Sequence, residues 1–144
     1  MSVFKDNLMA EIAKRPWWLN GVWFFCLFMT FIYVPWDLLF KPMDRWEEVW
    51  FGFTIRGWSA KVSEIAHWLI YGAGSYGLWK MKGWLWPWIT LYTAQVAVAM
   101  LIFNILAGPG TGDGRGGGMI VGIVIFLIFA YLTYLTHKAR DLAD

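Results

Sequence analysis

Charge is what this chain has least of. Only 15% of its 144 residues are Asp, Glu, Lys or Arg, against about 25% in a typical soluble domain. That scarcity excludes a water-solvated surface, because 59% of the residues are apolar and the charges gather between long apolar runs. The bilayer is the expected solvent. The net charge of +2 is small and dispersed, which leaves no electrostatic footprint for nucleic acid. Cysteine is nearly absent too. The single Cys26 excludes an intrachain disulfide, and burial in its apolar run would keep the thiol protonated and inert. A cleavable signal peptide is not expected, since the first apolar run is too long and no small-x-small site ends it.

Long apolar runs and aromatic rings are abundant instead: 12 Trp, 11 Phe and 6 Tyr. Crossing a bilayer takes about 20 apolar residues. Four segments meet that length: Trp17–Phe40, Val62–Trp79, Trp84–Ala107 and Met119–Thr136. The expected fold is therefore an all-α integral membrane protein, a single domain of four transmembrane helices. Residues 1–15 are expected to add a surface helix, with Phe4, Leu8 and Ile12 as its apolar stripe. Lys5, Lys14 and Arg15 would face the headgroups, and Pro16 would end it.

The connections differ in character. The basic turn "KMKG" (80–83) joins spans two and three. "GPGTGDGRGGG" (108–118), with seven glycines, joins three and four. A phosphate-binding loop needs a preceding strand and a following Lys-Ser/Thr. Both are missing, so the glycine run reads as a connector. Lys5, Lys14, Arg15, Lys80, Lys82, Lys138 and Arg140 share one side, against Lys41, Arg45, Arg56, Lys61 and Arg115 on the other. The positive-inside rule then puts both termini in the cytoplasm, with a bacterial cytoplasmic membrane as the expected location. The aromatic segment 41–61 is expected along the outer interface, part helix and part turn at Gly52 and Gly57. It would serve as an anchoring belt or as a lid over a lipid-facing pocket.

Polar groups within the spans are candidates for packing or binding. Gln95 and Asn104 need partners in hydrocarbon, which neighbouring helices supply most cheaply. Tyr92 shares a face with Gln95, and the two form a candidate ligand-binding pair. Gly72, Ala73, Gly74 and Gly77 let backbones approach closely, as helix packing in membranes requires. Asp37, near the end of span one, is a candidate catalytic group, with a salt bridge to Lys41, Lys61 or Arg56 as its structural alternative.

Glu64 and His67 lie three apart on one helix, so both can address a common target. They are candidates for catalysis and, with Glu47 and Glu48, for metal ligation. Glu-x-x-His is half of the di-iron carboxylate constellation, and a second copy is lacking here. One haem held by both histidines is excluded by topology, since His67 begins its span and His137 ends another at the opposite face. A single histidine can still ligate a magnesium porphyrin. "IAHWLIY" resembles, over seven residues, the His-bearing segment of bacterial light-harvesting polypeptides, a stretch too short to place the chain in a family. Carboxylates beside aromatic rings would also suit acid–base chemistry on an isoprenoid or sterol. The plainest reading of Glu64 and His67 is a hydrogen-bonded pair at a wet helix end.

No nucleophile, metal or cofactor motif is complete in this sequence, so an enzyme is the less favoured class. The leading expectation is an accessory or structural subunit that assembles with itself or within a larger, bioenergetic membrane complex. The alternative is a small interfacial enzyme or binding protein for a lipid or isoprenoid, or a pigment- or metal-binding subunit using Glu64 and His67. Membrane lipid, other membrane subunits and a second copy of the chain are the expected partners.

Overall fold

The computed structural model describes residues 2–107 and 118–142. The chain is mainly helical, with α1 (Ser2–Ala13), α2 (Trp17–Phe28), α3 (Val34–Phe40), α4 (Trp58–Trp79), α5 (Leu85–Ala107) and α6 (Gly118–Lys138). Three helical segments are long and apolar enough to cross a membrane: Trp17–Phe40, Leu85–Leu106 and Ile120–Leu142. The helical length of α4 is comparable, 22 residues, but Lys61, Glu64 and His67 in its first three turns dilute its apolar character. The glycine-rich connector read from the sequence lies outside the described residues.

Pro16 divides α1 from α2, and its carbonyl starts the next helix by accepting from the Leu19 and Asn20 amides at 3.0 and 3.1 Å. Farther on, α2 and α3 are joined by a single π-helical turn, Met29–Tyr33, in which the Val34 amide reaches back five residues to the Met29 carbonyl. The same wide turn would pair the Thr30 carbonyl with residue 35. That residue is proline and has no N–H to give. The Trp68 indole of α4 takes its place, donating to the Thr30 carbonyl at 2.7 Å.

The interfacial segment departs from expectation. Only Met43–Arg45 forms a short 3-10 turn; Glu47–Trp50 (β1) and Phe53–Arg56 (β2) pair antiparallel, with Glu48 opposite Ile55 and Trp50 opposite Phe53. The fold is thus not purely helical. The physical reason is legible in "EEVWFGFTIR": β-branched and aromatic residues flank a two-residue turn. Phe51 (φ 51°) and Gly52 (φ 89°) both take positive φ, the geometry that matches strand twist in a tight hairpin. Trp46 anchors the base, almost wholly buried, donating to the Lys41 carbonyl at 3.0 Å and lying under the ammonium groups of Lys41 and Lys61.

Packing is uneven along the bundle. α5 lies closely along α6, and α2 lies along α4. The densest core joins the two pairs at the end near the 80–83 turn, where Leu19, Trp23, Leu78, Leu85, Trp86 and Ala139 meet. Gly77 admits Leu85 there, while Gly74 faces Cys26 and Gly72 faces Thr30. These are the close backbone approaches that small residues permit. Ala73 does not join them; it is exposed toward a cavity.

Arg15 also departs from expectation. It does not face the headgroups but is 4% exposed, stacked 4.2 Å from the Trp23 ring centroid. Its guanidinium donates to the Leu78 and Trp79 carbonyls at 3.0 and 3.3 Å, and to the Glu11 carbonyl at 2.9 Å. The last carbonyls of a helix lack intrahelical donors and carry partial negative charge, so a buried cation at the end of α4 satisfies both needs.

Candidate functional site

The hairpin positions the site. Along a strand, residues two apart share a face, so Glu48 and Trp50 project together toward α4. Gly52 at the hairpin tip seats against α5, with Ile102 and the Ala99 carbonyl beside it. This contact ties the hairpin to a second helix. On α4, Glu64 and His67 share a face, and Tyr71 follows His67 one turn later.

These elements bring one ligating atom each from Glu48, Glu64 and His67 within 4.8 Å of one another. His67 Nδ1 lies 3.3 Å from Glu48 Oε2. The imidazole is stacked on Trp50, with ring centroids 4.2 Å apart and planes 2° from parallel. Tyr71 and Tyr92 border its other side at 6.2 and 6.5 Å. Burial pushes the Glu48 carboxyl up, but hydrogen bonds from His67 and Glu64 outweigh it and hold the group below the usual carboxylate range. Glu64 is 3% exposed. It lies six residues into α4, about 9 Å along the axis, and the hairpin covers it. Glu64 is thus shielded, while Trp58 and Val62 in the first turns of α4 are exposed.

Of the other candidates, Tyr92 borders this cluster, and Asp37, Glu47, Asn104 and His137 are not among its ligating residues. Asp37 pairs with Lys41 at 3.1 Å. Glu47 points to the opposite face of β1 and pairs with Arg56 at 3.0 Å. The Tyr92 hydroxyl donates to the Tyr71 hydroxyl at 3.2 Å rather than to Gln95. The Asn104 amide donates to Met100 of its own helix at 2.8 Å, and Gly122 of α6 packs on its side chain. His137 lies beside Gly83, Trp86 and Arg140 at the other end of the bundle.

Below the tyrosine pair opens a cavity of about 550 Å³ between the two helix pairs, inside the range of about 300–1,000 Å³ common for ligand pockets. Gly21, Phe25, Ala73, Trp88, Tyr92 and Phe129 contribute walls from four helices. Tyr71 and Tyr92 belong to both the cavity wall and the surroundings of His67, so the polar cluster and the apolar space share a tyrosine wall. Sequence reasoning missed Trp50 and Tyr71. The Glu48-x-Trp50 alternation and the His67–Tyr71 spacing were the signals for them. No family model, curated protein or solved structure matches this chain.

Proposed function

We propose that this chain is a small membrane binding protein for an acyl or isoprenoid chain, held in the cavity between the α2–α4 and α5–α6 pairs. In this reading α4 crosses the bilayer as a fourth span, α1 lies on the membrane surface and both termini are cytoplasmic. The observation that carries it is the cavity itself: a ligand-sized space with apolar walls from four helices and a hydrogen-bonding end at Tyr71–Tyr92. A hydrocarbon chain gains from contact with such walls what it would gain from lipid. The hydroxyl pair adds recognition of one polar group, as orienting groups do in apolar pockets.

Gly21 supplies the test. A Cβ there meets no atom within 4 Å and the residue lines the cavity, so Gly21→Leu is the substitution that adds bulk at its wall. Replacing a mid-helix glycine by leucine also favours the helix by about 1 kcal/mol. Lipid extracted from protein purified in mild detergent, and quantified by mass spectrometry, should show a retained chain-bearing molecule in the wild type. Gly21→Leu should lose it while remaining as stable or more so. Equal retention by the two proteins would refute the cavity as the binding site.

A second reading, an accessory subunit, draws on α6. That helix packs chiefly on α5 and leaves Ile120, Leu127, Ile128 and Tyr131 exposed. Its measurement is mass in mild detergent: a second copy or a different subunit supports it, and a monomer with bound lipid counts against it.

A further inference from the structure

We propose that Glu48, Glu64 and His67 form a mononuclear site for a divalent first-row transition ion, with a coordination position left for water or a ligand headgroup. The site would stand whatever fills the cavity below it. Bonds of about 2.0–2.2 Å in a tetrahedral site put neighbouring donors about 3.3–3.6 Å apart. His67 Nδ1 and Glu48 Oε2 are at 3.3 Å, and a Glu64 oxygen lies within 4.8 Å of both.

Two further observations favour a cation. Glu64 is 3% exposed, and among the described residues it forms no ion pair and no hydrogen bond outside the cluster. Lys41 is already paired with Asp37, and the Lys61 ammonium lies over the Trp46 ring. Two carboxylates facing each other in a shielded space need a shared proton or a metal ion to offset their repulsion. The third donor is an imidazole, the ligand that turns preference from magnesium and calcium toward transition metals. Trp50 stacks on that ring and Tyr71 and Tyr92 border it.

The test uses the full chain in phosphatidylcholine nanodiscs, stripped with chelator and titrated with zinc or cobalt chloride. The wild type should bind one ion per chain, and cobalt should give visible absorption of a low-coordinate site. Glu64→Gln, which keeps the shape of the side chain, and His67→Ala should each weaken binding about 10- to 100-fold or more. Glu47→Gln should bind like the wild type, because its carboxylate faces Arg56. Zinc should raise the unfolding temperature of the wild type and not of Glu64→Gln, since only a site in the folded state gains from the ion. Absence of stoichiometric binding to folded wild type would overturn the proposal in favour of a shared proton. Unchanged affinity in folded Glu64→Gln would overturn it equally.

Discussion

The hairpin that holds Glu48 over α4 also seats its tip on α5, and Gly52→Ala perturbs that contact directly. Two costs add. Gly52 has φ 89°, a conformation that costs a residue with a Cβ about 1–3 kcal/mol. The new methyl would also overlap Cβ and Cγ2 of Ile102 and approach the Ala99 carbonyl at 3.2 Å. Ile102 is β-branched on a packed helix and cannot swing away freely, so overpacking adds about 1–3 kcal/mol. Gly52→Ala should therefore lose about 2–6 kcal/mol. Ile102→Gly removes both overlapping atoms but not the backbone cost, so the double mutant should recover only the second part, a coupling energy of about 1–3 kcal/mol. Unfolding in mixed detergent micelles, followed by tryptophan fluorescence, measures all four corners of the cycle. Simple additivity of the two substitutions would refute the seating of the hairpin on α5.

Two further substitutions test how the helices are tied together. Arg15→Met should cost about 2–4 kcal/mol, because charge-assisted hydrogen bonds are worth about 1.5–3 kcal/mol each and water replaces part of them at this end of the bundle. Arg15→Lys should recover only a fraction, since a point ammonium cannot reproduce the fork that reaches Leu78, Trp79 and Glu11 at once. Trp68→Phe leaves the Thr30 carbonyl without its donor and should cost about 1–3 kcal/mol. Trp17→Phe, at a residue 85% exposed, should stay within about 0.5 kcal/mol. The same unfolding assay reads each value, and equal effects at Trp68 and Trp17 would remove the proline-compensating role of the indole.

The helical class was legible in the sequence because apolar run length is a one-dimensional property, and α2–α3, α5 and α6 follow it closely. The hairpin was hidden by its own composition. Trp46, Trp50 and Phe53 suit a headgroup layer as well as a strand, and the alternation in "EEVWFGFTIR" extends over only four residues on each side of Phe51-Gly52. Arg15 was misplaced for a related reason. Basic residues near a span ordinarily sit at the interface, and nothing local to Arg15 reveals that the carbonyl end of α4, 63 residues away, needs a donor. At the site, the Glu64–His67 spacing was visible at once. Its third member was harder to choose, because Glu47 and Glu48 are adjacent, and only the strand geometry sends Glu48 toward α4 and Glu47 toward Arg56. The cavity had no sequence signal, since it is the space left between two helix pairs rather than a property of either.

The central claim is that a hydrocarbon chain occupies the space below Tyr71 and Tyr92. Photolabelling in nanodiscs with a fatty acid carrying a diazirine, followed by peptide mass spectrometry, addresses it most directly. Labels should concentrate on the cavity walls around Gly21, Ala73 and Phe129, exceed those on the outward residues Leu127 and Ile128, and fall in Gly21→Leu. Labelling of Leu127 and Ile128 equal to that of the cavity walls, and unchanged by Gly21→Leu, would show ordinary contact with the bilayer and contradict the claim.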